Sequence, residues 1–183
     1  MFPAWVWTRM PSARCICGSF TQPLALELST RCRDVVQSEL YRAAFPDIKL
    51  RQDQNTKSHF KNTKKGSRYA CTVGGSVTGM HAHFLLIDDP IDPKGAKSEE
   101  EIKTANSWMT ETLPSRKVNK AIVPLVLIMQ RLHQDDPTGH LLAKGKDNIK
   151  HICLPATKDK NVFPASLRSK YVGDLMDPLR LTH

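Results

Sequence analysis

The sequence predicts an α/β fold, a mostly parallel sheet flanked by helices, and three observations carry that expectation. Short apolar runs alternate with amphipathic stretches, as where strands and crossover helices take turns. One run, His83-Phe84-Leu85-Leu86-Ile87, delivers Asp88 and Asp89 to its end and is stopped by Pro90. A second, Ala121 to Met129, ends at Gln130-Arg131-Leu132-His133. Polar groups at the C-terminal ends of two parallel strands converge on one crevice, the place where open α/β sheets bind ligands.

The elements follow in order. Met1-Phe2-Pro3-Ala4-Trp5-Val6-Trp7 lacks the basic start and full apolar centre of a signal peptide, so it reads as structure. Arg14 to Phe20 reads as a strand ending in a small polar turn. From Leu26 to Ala44, the residues Leu28, Cys32, Val35, Val36, Leu40 and Ala43 recur at helical spacing. They predict one helix with a face on the sheet, ended by Phe45-Pro46. Asp47 to Gly66 is polar and basic without periodicity, which predicts loop or a weak hairpin. Arg68 to Val73 reads as a strand, and Gly74-Gly75-Ser76-Val77-Thr78-Gly79 as a turn leading to the Asp88-Asp89 strand.

That turn spaces two glycines as a phosphate loop does, but Met80-His81 stand where G-x-x-x-x-G-K-[ST] needs lysine and a hydroxyl. It is expected to be a tight connection. Ser98-Glu99-Glu100-Glu101 makes a capping box, after which Ile102, Ala105, Met109 and Leu113 share a helix face until Pro114 closes it. Ala121 to Met129 predicts a buried, β-rich strand. In Asp136-Pro137-Thr138-Gly139, the aspartate reads as an N-cap with proline at N1, and Leu141-Leu142 before Gly145 completes a short helix.

Composition bounds the function. The length of 183 residues suits one domain with a real core, and the longest apolar stretch is too short to span a bilayer. The five cysteines are an odd set with no C-x-x-C pair, which argues against a disulfide framework or zinc knuckle and fits a reducing cytoplasm. The net charge of +9 is concentrated in Lys49, Arg51, Lys57, Lys61, Lys64, Lys65 and Arg68. Polyanions are the expected partners, with a plain solvated basic loop as the alternative.

Two carboxylates at a strand's mouth are the form of a Walker B strand. One holds Mg²⁺, directly or through water, while its neighbour orients or deprotonates the water attacking a γ-phosphate. A buried strand closed by an Asx-Pro turn is the structural alternative. Among the second cluster, Gln130 can sense a phosphate or water and Arg131 can neutralise charge developing in phosphoryl transfer. His133 is open between a structural hydrogen bond and a catalytic part.

The runs Gly74 to Gly79, Leu85-Leu86-Ile87-Asp88-Asp89-Pro90 and Ile128-Met129-Gln130-Arg131-Leu132-His133-Gln134-Asp135-Asp136-Pro137-Thr138-Gly139-His140-Leu141-Leu142 resemble, in order and spacing, the ATPase region of large terminase subunits from tailed bacteriophages and prophages. Against that family's T-R-W-H-x-D-D-L-x-G-x-L, this chain keeps Arg131, His133, Asp135, Asp136, Gly139 and Leu141, with Gln130 for threonine and Leu132 for tryptophan. Phe2 to Trp5 and Ser29 to Ser38 also resemble the strand and helix after the family's nucleotide loop.

The resemblance implies a motor coupling ATP hydrolysis to packaging of double-stranded DNA into a procapsid, in the bacterial cytoplasm. It implies a small terminase subunit, a portal protein and a homo-oligomeric ring as partners, with Mg²⁺ and ATP as cofactors. Asp88 would be the metal-associated carboxylate, Asp89 the catalytic one where many relatives carry glutamate, and Gln130 and Arg131 the coupling segment. Lys57, Lys61, Lys64, Lys65 and Arg68 are the candidate nucleic-acid contacts.

No G-x-x-x-x-G-K-[ST] occurs in these residues. The expectation is therefore an incomplete P-loop NTPase-type sheet over residues 1–183 lacking the Walker A strand and loop, truncated at both ends, without the C-terminal nuclease domain, marginally stable and without ATP turnover alone. Two rivals stand beside it: a non-catalytic DNA-binding or assembly module using the basic stretch, and a Mg²⁺-dependent nuclease using Asp88, Asp89, Asp135 and Asp136.

Overall fold

The computed structural model describes residues 1–145 and 149–180. It divides into two compact units, Met1–Ala143 and Lys144–His183.

The first unit is α/β. It contains, in chain order, α1 (Phe2–Arg9), β1 (Arg14–Ser19), α2 (Gln22–Gln37), α3 (Glu39–Ala44), β2 (Leu50–Asn55), β3 (His59–Asn62), β4 (Ser67–Thr72), β5 (Phe84–Asp88), α4 (Glu99–Ser107), β6 (Leu125–Ile128) and α5 (Pro137–Ala143). Six strands form one mixed sheet in the order β2-β3-β4-β1-β5-β6. The strands β4, β1, β5 and β6 run parallel, and β3 pairs antiparallel with β4 on one side and with β2 on the other.

Each sheet face is sealed by its own apolar cluster. On one face Trp7 and Val6 of α1, Cys32 and Val36 of α2, Tyr41 and Phe60 are buried together. On the other, Ile16, Cys71, Leu85 and Ile87 meet Trp108, Met109 and Leu113. Gly18 lets this second layer close: a Cβ there would stand 2.9 Å from both the Ile87 Cδ1 and the Trp108 ring. The alternation fixes which side chains share a face. Leu85 and Ile87 belong to the Trp108 layer, so Phe84, Leu86 and Asp88 point to the α2 side.

The helix expected over Leu26 to Ala44 is two helices. The Ser38 hydroxyl accepts from the Tyr41 amide at 3.2 Å and starts α3 anew. This break turns the second segment, so Tyr41 is buried and Leu40 is 85 % exposed, contrary to the single-face reading. The Asp47 to Gly66 stretch resolves into the β2–β3 hairpin. At α4, Ser98 accepts from the Glu101 amide at 3.3 Å, but the Ser98 amide donates to the Gly95 carbonyl rather than to Glu101, so only half of the capping box forms. Ile102, Ala105, Met109 and Leu113 are buried as their spacing predicts. Pro114 does not end the element: a π-helical turn (Trp108–Thr112) runs into a 3₁₀ turn (Leu113–Arg116) that contains it.

The buried strand expected over Ala121 to Met129 is a four-residue outermost strand, β6. Ile122 lies outside it at 77 % exposure and Ile128 within it at 64 %, because β6 has a neighbour on one side only.

In the second unit, bridges pair Cys153 with Phe163, and Thr157 and Val172 with Leu175. A 3₁₀ helix spans Ala165–Lys170, and the Tyr171 hydroxyl donates to the Pro155 carbonyl at 2.6 Å. No helix among the described residues is long and apolar enough to cross a membrane.

Candidate functional site

The parallel strands β4, β1, β5 and β6 place their C-terminal ends along one sheet edge. Ser19 lies in register with Thr72, Gly18 with Ile87, and Asp88 with Ile128. The row of terminal residues is therefore Thr72, Ser19, Asp88, Ile128. Beyond it the backbone stays knitted: the Val73 amide donates to the Ser19 carbonyl at 2.9 Å, and the Phe20 amide to the Asp89 carbonyl at 3.0 Å.

Asp88 and Asp89 stand at this edge, both half-buried. Partial burial, reinforced by the Asp89 charge, pushes the Asp88 carboxyl above its ordinary range. A neighbouring cation would reverse that shift. Asp89 carries φ +43°, a left-handed conformation that aspartate tolerates better than most residues. The strand stops here because this twist and Pro90, which has no amide hydrogen, together end the ladder.

Gln130 and Arg131 follow β6 at the same edge, two and three residues past Ile128. Gln130 is exposed. Arg131 is occupied: its Nε donates to both Asp136 carboxyl oxygens at 2.9 Å, and one terminal nitrogen donates to the His133 and Gln134 carbonyls at 3.1 and 3.2 Å. Asp136 is fully buried and also accepts from the amides of Leu132, His133 and Gly139. It is the N-cap of α5 and at once the knot of the 131–136 loop. Burial alone would raise its carboxyl, but the Gly139 amide, Arg131 and the Leu132 and His133 amides outweigh burial and hold it below the ordinary range. Gly139 is required by the close approach, since a Cβ there would stand 1.9 Å from the Gln134 carbonyl oxygen. His133 Nδ1 accepts from the Asp135 amide at 3.1 Å.

Two residues of one helical segment fasten the loops on either side of the carboxylates. Asn106 donates to the Asp135 carbonyl at 2.9 Å, and the Trp108 indole to the Gly75 carbonyl at 3.3 Å. The Gly74 to Gly79 turn is the connection from β4 to β5, with φ +73° at Gly74 and +75° at Gly79.

The basic residues lie on the antiparallel side of the sheet. Lys57 sits in the exposed β2–β3 turn, Lys61 is half-buried on β3, and Lys64 and Lys65 are exposed in the β3–β4 turn. That turn is held by buried Asn62, whose Oδ1 accepts from the Lys64 and Gly66 amides at 2.9 and 2.8 Å. Arg68 departs from the group: it is 4 % exposed on β4, and its Nε and Nη1 have no hydrogen-bond partner. Burial keeps it off the surface that presents the lysines.

Among the described residues no three or more His, Cys, Asp or Glu side chains assemble into a metal-holding group. Asp136 is consumed by its own loop, so the four carboxylates of the nuclease alternative are not gathered. Asp88 with Asp89 still fits a hard cation that keeps most of its waters, as Mg²⁺ does. Sequence reasoning missed Ser19, which stands beside Asp88 in register, and Thr72, on the far side of Ser19; Gly18-Ser19 read only as a turn. It also missed Asn106 and Trp108, which lie between the positions Ile102, Ala105, Met109 and Leu113 that the helical pattern singled out.

The chain matches no protein-family model and no curated protein.

Proposed function

We propose that this chain is part of the ATPase region of a terminase-type motor, whose whole form couples ATP hydrolysis to packaging of double-stranded DNA. The observation that carries the reading is the placement of Asp88-Asp89 at the C-terminal end of an interior parallel strand, beside a second parallel strand whose continuation brings Gln130 and Arg131 to the same edge. Asp88 would bind Mg²⁺ through water or directly, and Asp89, turned by its left-handed backbone, would orient or deprotonate the attacking water. Bound Mg²⁺ supplies charge neutralisation at the phosphates. Gln130 is free to sense the phosphate, while Arg131 shapes the loop that presents it.

The outermost position of β6, with Ile122 and Ile128 exposed, is in keeping with a P-loop-type sheet that takes a further strand there. No G-x-x-x-x-G-K-[ST] occurs in these residues, so the chain alone has no lysine cradle for a triphosphate and no ATP turnover is expected. The test is to fuse a strand–G-x-x-x-x-G-K-[ST]–helix segment ahead of Met1. The folded fusion should hydrolyse ATP and lose that activity in Asp89→Asn. A folded fusion that neither binds nor hydrolyses ATP overturns the reading.

A second reading, a DNA-binding module, is favoured by the lysines in the two turns bounding β3. Salt-sensitive binding that survives Asp88→Asn but is lost when Lys64 and Lys65 are changed to glutamate would select it.

A further inference from the structure

We propose that Ser19 belongs to the cation site of Asp88, its hydroxyl holding a water of the divalent ion that Asp88 binds; this rests on the metal reading of Asp88 given above. The Ser19 Oγ is inaccessible, on a residue 1 % exposed, and has no hydrogen-bond partner. A buried hydroxyl with one donor and two acceptor positions unused is uncommon in a folded interior.

Its position says what it would serve. Register puts Gly18 beside Ile87, so Ser19 stands beside Asp88, and the Phe20 amide bond to the Asp89 carbonyl carries that pairing past the strand end. The two side chains share a face. Ile16 packs in the Trp108 layer, and a Cβ on Gly18 would meet Trp108, so Cys15, Cys17 and Ser19 point to the α2 side, as does Asp88. Ser19 and Asp88 thus stand in adjacent register on one face, and the Ser19 Oγ bonds to no other group, which leaves it to serve a water of the ion. Mg²⁺ and Mn²⁺ retain several waters when a protein supplies only one or two carboxylates, and the groups gripping those waters tune affinity. Thr72, in register with Ser19 on its other side, continues the polar row.

Mn²⁺ binding to the intact chain, read from the loss of the free-ion paramagnetic resonance signal, tests this without any turnover. Ser19→Ala should weaken binding about tenfold, Ser19→Cys should do the same at nearly equal volume, and Asp88→Asn should abolish it. Far-UV circular dichroism decides which of the two Ser19 variants is read if one misfolds. Wild-type affinity in both Ser19 variants, with binding lost in Asp88→Asn, overturns the Ser19 inference and leaves Asp88 standing. Absence of binding by the wild-type chain, or retention in Asp88→Asn, overturns the Asp88 reading and the inference with it.

Discussion

The Asp89 amide donates to the Ile128 carbonyl at 2.9 Å, so the residue that twists out of β5 remains bonded to β6. Its own carbonyl is taken by Phe20. The left-handed backbone at Asp89 is thus imposed by neighbours on both sides.

That clamp predicts an order of stabilities. Asp89→Ala and Asp89→Gly remove the same carboxylate, but only glycine accepts φ +43° without strain. Asp89→Ala should be the less stable of the two by about 1 kcal/mol in urea unfolding, net of glycine's greater unfolded-state freedom. Equal midpoints would mean the backbone relaxes when the side chain goes.

The Asp136 knot should behave as a core element. Asp136→Ala leaves Arg131 unpaired and α5 uncapped, and is expected to cost about 3 kcal/mol. Because the folded carboxyl sits below its unfolded value of about 3.9, its contribution is complete above that value and lost as pH falls through the folded one. The wild type should therefore lose stability below about pH 4 more steeply than Asp136→Asn, as paired acid titrations monitored by fluorescence would show.

Asp88 carries the opposite sign. Its folded carboxyl lies above the unfolded value, so the charged form burdens the folded state at neutral pH and the burden lifts on acidification. Asp88→Asn should raise the thermal midpoint at pH 7, and the gain should vanish below about pH 4, where both states are protonated. A midpoint lowered at pH 7 would contradict this account.

Arg68 offers a third electrostatic test. Burial drives the surrounding thiols upward, Cys71 to about 12, so they stay neutral and do not balance the guanidinium. Arg68→Met should stabilise the chain by about 1–3 kcal/mol in thermal or denaturant unfolding. DNA affinity should be unchanged, since the guanidinium is not on the lysine surface.

Much of this was written in local pattern. Arg14 to Phe20 and the run into Asp88 announced strands because apolar residues fill them, and the structure covers both faces of each; Asp136-Pro137 announced a cap because its chemistry is confined to four residues. Less local features escaped. Ser38 looked like one more polar position on a helix, and only the tertiary demand to bury Tyr41 shows why the helix restarts there. Ala121 to Met129 read as interior because apolarity does not reveal how many neighbours a strand will have. Arg131 carried the residue type of a charge stabiliser, while its partner five residues on decides that it braces a loop. Ser19 gave no signal, since its interest arises wholly from register with Asp88.

The two margins of the sheet differ as templates. On β2 the sequence Leu-Arg-Gln-Asp-Gln-Asn sets charge and amide groups against any newcomer, whereas β6 offers Leu-Val-Leu-Ile. Growth by strand addition would therefore be directional, at the β6 flank, and two chains meeting flank to flank would cap each other rather than polymerise. Refolding yield should fall with concentration towards a dimeric dead end, and a charge introduced at Ile128 should open that end again.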